Sequence, residues 1–335
     1  MKLECWQEDN LFDTLSGAWN ALHERSHTAT VFNSVPYARI WWRHFGVPGT
    51  LQVWTVWEDE KLVGVAPLYK TTNEQGTSVL RFVGGVDVSD YLDMVCEPGR
   101  EDDIVATLLA GWADVPGCCP FDFHAVPHAS PSREAFLRLA PAYGFKVTER
   151  REEVCPVITL PTTWEGYLAK LAGKQRRELR RKLRKAGQEE LVSWYWTPPE
   201  LIPEEMGNFF RLHMKSGAQK AAFMTEAMQQ FFRELAVALT ERGWLDLCFL
   251  LINGVPAASL LSFHFRNEVQ LYNSGLDETL SDALSPGWLL LCYHIEEAIA
   301  LGRTRYDFLR GNEEYKFRFG GRPEPIYQVQ LEKIQ

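Results

Sequence analysis

The sequence predicts an α/β (α+β) chain of two tandem domains, each a mixed, mostly antiparallel sheet flanked by helices. Three observations carry this reading. Apolar runs of strand length recur with turn residues between them, and amphipathic runs of helical period stand among them. The second half repeats the order of the first, at offsets of roughly 190 residues. Residues 60–66 are answered by 253–258, the helix near Ile104 by the helix from Trp288, and Phe121-Asp122-Phe123 by Tyr306-Asp307-Phe308. A chain of 335 residues fits two domains. The expected domains are 1–160 and 161–335, the second opening with a basic helical segment at 162–187.

Residues 1–50 begin with helical patterning and lead into a short aromatic helix at 40–46, where Trp42 packs in a core or lines a groove. The runs 51–56 and 62–69, joined by Glu58-Asp59-Glu60-Lys61, predict a hairpin. Strands follow at 79–83 and 87–95, the latter carrying Asp87, Asp90 and Asp93. Then come a helix at 104–112, a strand at 121–124, a helix at 131–143 ended by Gly144, and a strand at 154–160. In 162–187 the basic residues Lys174, Arg176, Arg177, Arg180, Arg181, Lys182, Arg184 and Lys185 face only Glu178. Leu168, Leu171, Leu179 and Leu183 keep an apolar stripe there. Helices are expected at 204–215 and 226–242. A second hairpin, 246–252 with 256–265, turns on Asn253-Gly254. A strand at 269–274 precedes the stretch with the most chemistry, and 326–331 closes the chain as a strand.

That stretch, 284–321, reads as turn, helix, short strand and charged loop. Ser285 is placed to cap the helix, Pro286 suits its first turn, and Gly287 leaves the backbone open to another group. Apolar residues then recur at helical spacing from Trp288 to Ile299, and Gly302 ends the run. The free N–H groups of such a helix start can hold a phosphate. Tyr306 to Leu309 reads as a buried strand carrying one acid, Asp307, and Arg310, Asn312, Glu313, Glu314, Tyr315 and Lys316 crowd the loop beyond it.

Composition excludes some classes. Lys+Arg 35 against Asp+Glu 44 gives a net charge of −9, which argues against general nucleic-acid binding. No apolar run is long enough to span a bilayer, and residues 1–5 lack a signal-peptide core. The seven cysteines form no Cys-x-x-Cys pair and there is no His-Glu-x-x-His among the eight histidines, so no metal is expected. The reading places the chain in the cytoplasm.

The order of elements resembles the GNAT N-acetyltransferase fold, present twice. Ser285-Pro286-Gly287 with its helix, Tyr306-Asp307-Phe308-Leu309-Arg310-Gly311 and Tyr315-Lys316 are similar to the second half of the CelD/BioF2-like acetyltransferase family. Ala66-Pro67-Leu68-Tyr69 and Ser89-Asp90-Tyr91-Leu92-Asp93 resemble its first half. The plan is shared with the FemABX peptidyltransferases, whose basic Phe-Gly-Gly segment resembles Lys316 to Gly321.

The resemblance implies an acyltransferase, an N-acetyltransferase moving an acyl group from acyl-CoA, with acetyl-CoA as co-substrate, to an amine. An amino sugar of envelope or exopolysaccharide synthesis is the expected acceptor. The donor pyrophosphate would lie on Ser285, Pro286, Gly287 and Trp288, where Ser-Pro-Gly replaces the family's glycine-rich signature. Asn273 and Ser274 would line the thioester pocket. The first half offers no such helix start, because Glu97 to Asp103 is acidic. Asp307 or Glu314 would act as base, Lys316 or Arg310 would stabilise developing charge, and Tyr315 would protonate the leaving group. Asp90, Tyr91 and Asp93, with Trp42, would hold the acceptor in the cleft between the halves. His213 and His264 are possible bases, each read first as an ordinary core or surface histidine. Two other functions stay open: an aminoacyl-tRNA-dependent transferase contacting tRNA or another polyanion through 174–185, and a non-catalytic binding protein.

Overall fold

A computed structural model describes every residue except 188–191, 278, 281–283 and 335. The chain forms two compact units, Met1–Glu153 with Pro325–Gln335, and Val154–Glu324. The division falls before the expected 160/161 boundary, and the C-terminal residues return to the first unit. Two strands cause both differences, since each contributes residues to both units.

In unit 1, β1 (Lys2–Trp6) is followed by α1 (Leu11–Thr14), α2 (Ser16–Arg25) and α3 (Val35–Phe45). Then come β2 (Leu51–Glu58), β3 (Lys61–Thr72), β4 (Ser78–Phe82), β5 (Val95–Cys96), α4 (Glu101–Asp114), β6 (Phe121–Pro127), α5 (Pro131–Leu139) and β7 (Phe145–Thr159). The sheet order is β1-β2-β3-β4-β6, continued by β13 (Arg322–Lys333), with β5 on β3. Pairing is antiparallel except for β4 with β6, which α4 connects. A parallel pair needs such a crossover. Trp112 of α4 packs on Phe121 at 4.2 Å and stacks with Phe136, joining helices to sheet.

Unit 2 takes residues 154–159 of β7, then α6 (Trp164–Lys170), α7 (Gly173–Ala186), β8 (Val192–Trp196), α8 (Ile202–Lys215), α9 (Ala218–Phe223) and α10 (Glu226–Thr240). The hairpin β9 (Leu245–Ile252) and β10 (Val255–Phe265) turns on Asn253 and Gly254, both at positive φ. β11 (Glu268–Leu276), α11 (Pro286–Ala300), β12 (Arg305–Asp307) and α12 (Glu314–Arg318) follow. The order is β8-β9-β10-β11-β12-β7, antiparallel except for β11 with β12. The core lies between this sheet and α7 and α11, with Leu179, Leu250, Leu289, Ile295 and Phe319 almost inaccessible.

Several elements differ from expectation. The first residues are a strand, β1, paired with β2 before any helix begins. The run 87–95 is a series of turns, with only Val95–Cys96 extended onto β3. Gly84 and Gly85 take positive φ, and Ser89 hydroxyl bonds back to Gly84 carbonyl, which curls the chain. The segment 162–187 is two helices, because Leu171 and Ala172 are extended. β7 begins nine residues earlier than expected; its exposed charged half is held by partners such as Arg133 on Glu149.

Gly275 of β11 is required by packing. A Cβ there would lie 2.6 Å from Leu212 Cβ and 2.7 Å from the backbone nitrogen of His213. Gly275→Ala should therefore push α8 off β11 and cost about 1–3 kcal/mol, read as a lower denaturation midpoint. An unchanged midpoint would show that α8 is not seated this closely.

Candidate active site

The site of unit 2 begins where two strands part. β11 pairs with β12 through Glu268↔Arg305, Val269↔Tyr306 and Gln270↔Asp307, and the parallel ladder ends there. β11 continues to Leu276 along β10, with a register shift that leaves Tyr272 as an extra residue. Such a bulge bends a strand and re-aims its side chains. Residues 271–276 thus turn toward α8 and α9 instead of β12.

Three side chains meet on that segment. His213, buried on α8, places Nε2 3.3 Å from Asn273 Oδ1. Burial and the nearby charge of Lys220 hold its pKa down to about 4, so it is neutral near pH 7. Its Nδ1 is buried without a hydrogen-bond partner among the described residues. Lys220 of α9 donates to Ser274 carbonyl at 2.7 Å and lies 3.4 Å from Ser274 Oγ. Burial lowers its pKa; Glu313 opposes this and Lys316 adds to it, so the loop after β12 is within electrostatic reach.

The start of α11 carries a second cation. Ser285 sits in the left-handed region, φ 52°, and its side chain does not cap the helix as expected. Its carbonyl takes the N–H groups of Trp288 and Leu289, while its hydroxyl accepts from Lys182 of α7. Pro286 has no N–H, so Gly287 presents the open backbone donor. A Cβ at Gly287 would meet only Leu276 Cδ1, at 3.7 Å, so packing does not demand glycine there. Lys182 Nζ stands 5.0 Å over the Trp288 ring. Burial lowers its pKa, with Glu178, 3.8 Å away, opposing that shift. A desolvated ammonium beside the positive end of a helix dipole favours an anion between them.

The charged loop behaves differently from the sequence reading. Asp307 is buried and its Oδ1 accepts the N–H of Leu309 at 2.7 Å, fixing a left-handed turn at φ 54°. Lys316 is also buried: its Nζ donates to the carbonyls of Leu309 (3.3 Å), Arg310 (2.8 Å) and Gly311 (3.3 Å) and pairs with Glu313 at 2.9 Å. Both residues build the loop, and neither presents its charged group to a reactant. Tyr315 packs against Phe308, and burial, then Glu313, pushes its hydroxyl well above the usual phenol range, which makes it a poorer proton donor. Glu314 is exposed and pairs with Arg318 at 2.6 Å. Arg310 is half-buried in the same loop.

The proposed acceptor residues belong to unit 1. Trp42 is buried and donates to Asp9 Oδ1 at 2.8 Å, so it is a core residue and not a groove wall. Tyr91 is buried and Asp90 half-buried. Asp93 is buried and accepts from Ser132 and from Met94 N–H at 2.8 Å, a framework role that its exposed-acceptor reading missed. α4, the counterpart of α11, carries Glu101, Asp102 and Asp103 in its first turn, which disfavours a pyrophosphate.

Lys182 and Lys220 escaped the sequence reading. Lys182 was one of a basic run, and Lys220 had no signal beyond being a lysine on a helix of six residues.

The class follows from this geometry. Two units, each with a parallel strand pair bridged by a helix in an otherwise antiparallel sheet, form a tandem GNAT fold. Residues 173–317, which hold the whole unit 2 site, match the family described as Acetyltransferase (GNAT) domain. Among solved structures, FemX is similar over 97% of this chain and 96% of its own, with TM-score 0.67 and 11% identity. The C-terminal domain of a putative lysylphosphatidylglycerol synthetase from Agrobacterium fabrum is similar over 96% and 92%, with TM-score 0.56 and 9% identity. A tandem GNAT protein from the clavulanic acid biosynthesis pathway is similar over 99% and 98%, with TM-score 0.50 and 14% identity. No curated protein sequence matches significantly. Among the described residues, no helix is long and apolar enough to cross a membrane.

Two outcomes follow. Lys316→Met removes a cation from three carbonyls and should lower stability by roughly 2–3 kcal/mol in denaturant titration; a change below about 0.5 kcal/mol would return Lys316 to the catalytic candidates. Burial pushes the Asp93 carboxyl up to about 7, against hydrogen bonds from Ser130, Ser132 and Met94. The folded state then binds the proton more tightly than the unfolded state. The Asp93 contribution to stability therefore falls as pH rises from about 4 to about 7 and is flat above. Asp93→Asn should lack that slope, so the parent's stability relative to the variant's should fall between about pH 4 and pH 7 and be flat above; parallel profiles would contradict it.

Proposed function

We propose that the chain is an acyltransferase that moves an acyl group from acyl-CoA to an amine, using the site of unit 2. The observation that carries this reading is the meeting of Asn273, Ser274, Lys220 and the start of α11 where β11 leaves β12. That meeting lies inside the stretch matched as a GNAT domain.

Each residue has a role in this reading. Gly287 N–H and Lys182, beside Ser285 and Trp288, hold the acidic part of the donor. Asn273, oriented by His213, and Ser274 line the acyl end. When the amine attacks the thioester carbon, the oxygen gains negative charge; the ammonium of Lys220 lies beside that strand and stabilises it. The C–S bond then breaks and the thiolate leaves, so no strong acid is needed. Glu314 is an accessible carboxylate of the loop, free of Lys316, and takes the proton of the amine directly or through water. Arg310 stands in the same loop to meet an acidic acceptor. Asp307, Tyr315 and Lys316 shape the loop. An amino sugar of envelope or exopolysaccharide synthesis is the acceptor class to test first.

A second reading rests on α7. Lys174, Arg177, Arg180, Arg181 and Arg184 are exposed, although Arg180 pairs with Glu165 and Arg181 with Glu178. This helix delivers Lys182 to the mouth of α11, so a polyanionic donor such as aminoacyl-tRNA would meet the same site. RNA that co-purifies with the parent and is lost on Lys174→Glu/Arg177→Glu would favour it.

For the acyl-CoA reading, release of free thiol from acetyl-CoA is followed with a panel of amines. Lys220→Met should lower kcat at least 100-fold with little change in denaturation midpoint, and Glu314→Gln should lower it about 100-fold. Rates within threefold of the parent in both would remove them from the chemistry.

A further inference from the structure

We propose that Asp246, His264 and His294 bind one zinc ion, at a structural site of unit 2 separate from the acyl-transfer site. Asp246 opens β9, His264 lies near the end of β10, and His294 faces the sheet from the middle of α11. Their ligand atoms all lie within 4.8 Å of one another. Asp246 Oδ2 is 3.4 Å from His264 Nε2 and 3.5 Å from His294 Nε2. These separations are long for hydrogen bonds. They match the edge of a tetrahedron of nitrogen and oxygen ligands about 2.0–2.1 Å from zinc, which is about 3.3 Å.

The surroundings point the same way. His264 Nε2 is buried with no hydrogen-bond partner among the described residues, although it faces the carboxylate. Tyr306 hydroxyl lies 2.7 Å from His294 Nδ1; accepting the proton of Nδ1 leaves the Nε2 lone pair for a metal. Trp196 Nε1 donates to Asp246 Oδ2 at 2.8 Å, orienting the carboxylate, and its ring stacks on His294. Ser262 Oγ lies 3.1 Å from His294 Nε2 and marks the fourth position, for itself or a water. Arg303 Nη2 donates to His264 Nδ1 at 3.5 Å, a contact that zinc on Nε2 would have to break by moving the proton to Nδ1. Two imidazoles and one carboxylate suit zinc better than magnesium or calcium, which prefer oxygen.

Such an ion would tie α11 to β9 and β10, two turns below the mouth of α11. No spacing motif announces it, because the three ligands come from three elements distant in sequence.

The full chain, stripped with chelator and dialysed, is titrated with zinc and separately with cobalt(II). The inference expects one metal per chain, a rise of several degrees in denaturation midpoint on adding zinc, and the visible absorption bands of tetrahedral cobalt. Asp246→Asn and His264→Gln should each lose both the stoichiometric binding and the rise. If either variant fails to fold, the cobalt spectrum of the parent decides. Octahedral or absent cobalt bands, binding far below one per chain, or zinc binding unchanged in the variants would each overturn it.

Discussion

The constraint on which unit 2 depends is the pairing of a parallel strand with one that is only three residues long. β11 and β12 are linked by α11, and their ladder closes after Gln270↔Asp307. The backbone of β11 beyond that point must find partners elsewhere. It finds Lys220 of α9 at Ser274 carbonyl and, at Leu276 N–H, Ser216 Oγ from the end of α8, the helix that Gly275 allows to approach. The same divergence leaves the start of α11 beside the strand end. The bulge at Tyr272, the seat of α8 and the position of His213 are consequences of one broken ladder.

Electrostatics sorts the charged residues into two groups. Lys316 and Asp307 lie buried with backbone groups arranged around them, so their charge is spent in holding the loop. Lys182 and Lys220 are partly desolvated, and each meets a hydroxyl, with Ser274 carbonyl also on Lys220. Burial lowers the pKa of both. Cations held in this way beside a helix N-terminus gain most from an anionic ligand. The proposed function therefore rests on the lysines that are incompletely neutralised.

Much of the fold was legible in the sequence. The two hairpins, the helices α4, α10 and α11, and the internal repeat follow from apolar period and from Asn253-Gly254, signals that act over a few residues. The turns at 86–94 were not legible, because Val88, Leu92 and Val95 mimic a strand while Gly84 and Gly85 take positive φ and Asp93 accepts from Ser132 of α5. The site was legible only in part. Asn273, Ser274 and the α11 start came from the family resemblance, and the structure places Asn273 and Ser274 on the part of β11 that runs past β12. Density of charge misdirected the reading toward Asp307 and Lys316, since sequence shows that a lysine is present and not that three carbonyls surround it. His213, Lys220, Asp246 and His294 come together only through tertiary packing.

Binding of coenzyme A itself tests the central claim most directly, since it needs no knowledge of the acceptor. Calorimetric titration of the full chain should show one site, weakened at least tenfold by Lys182→Glu at equal salt, while the folded content seen by circular dichroism stays unchanged. Absence of binding to the parent, or equal affinity in parent and variant, would contradict the placing of an acidic donor between Lys182 and the start of α11.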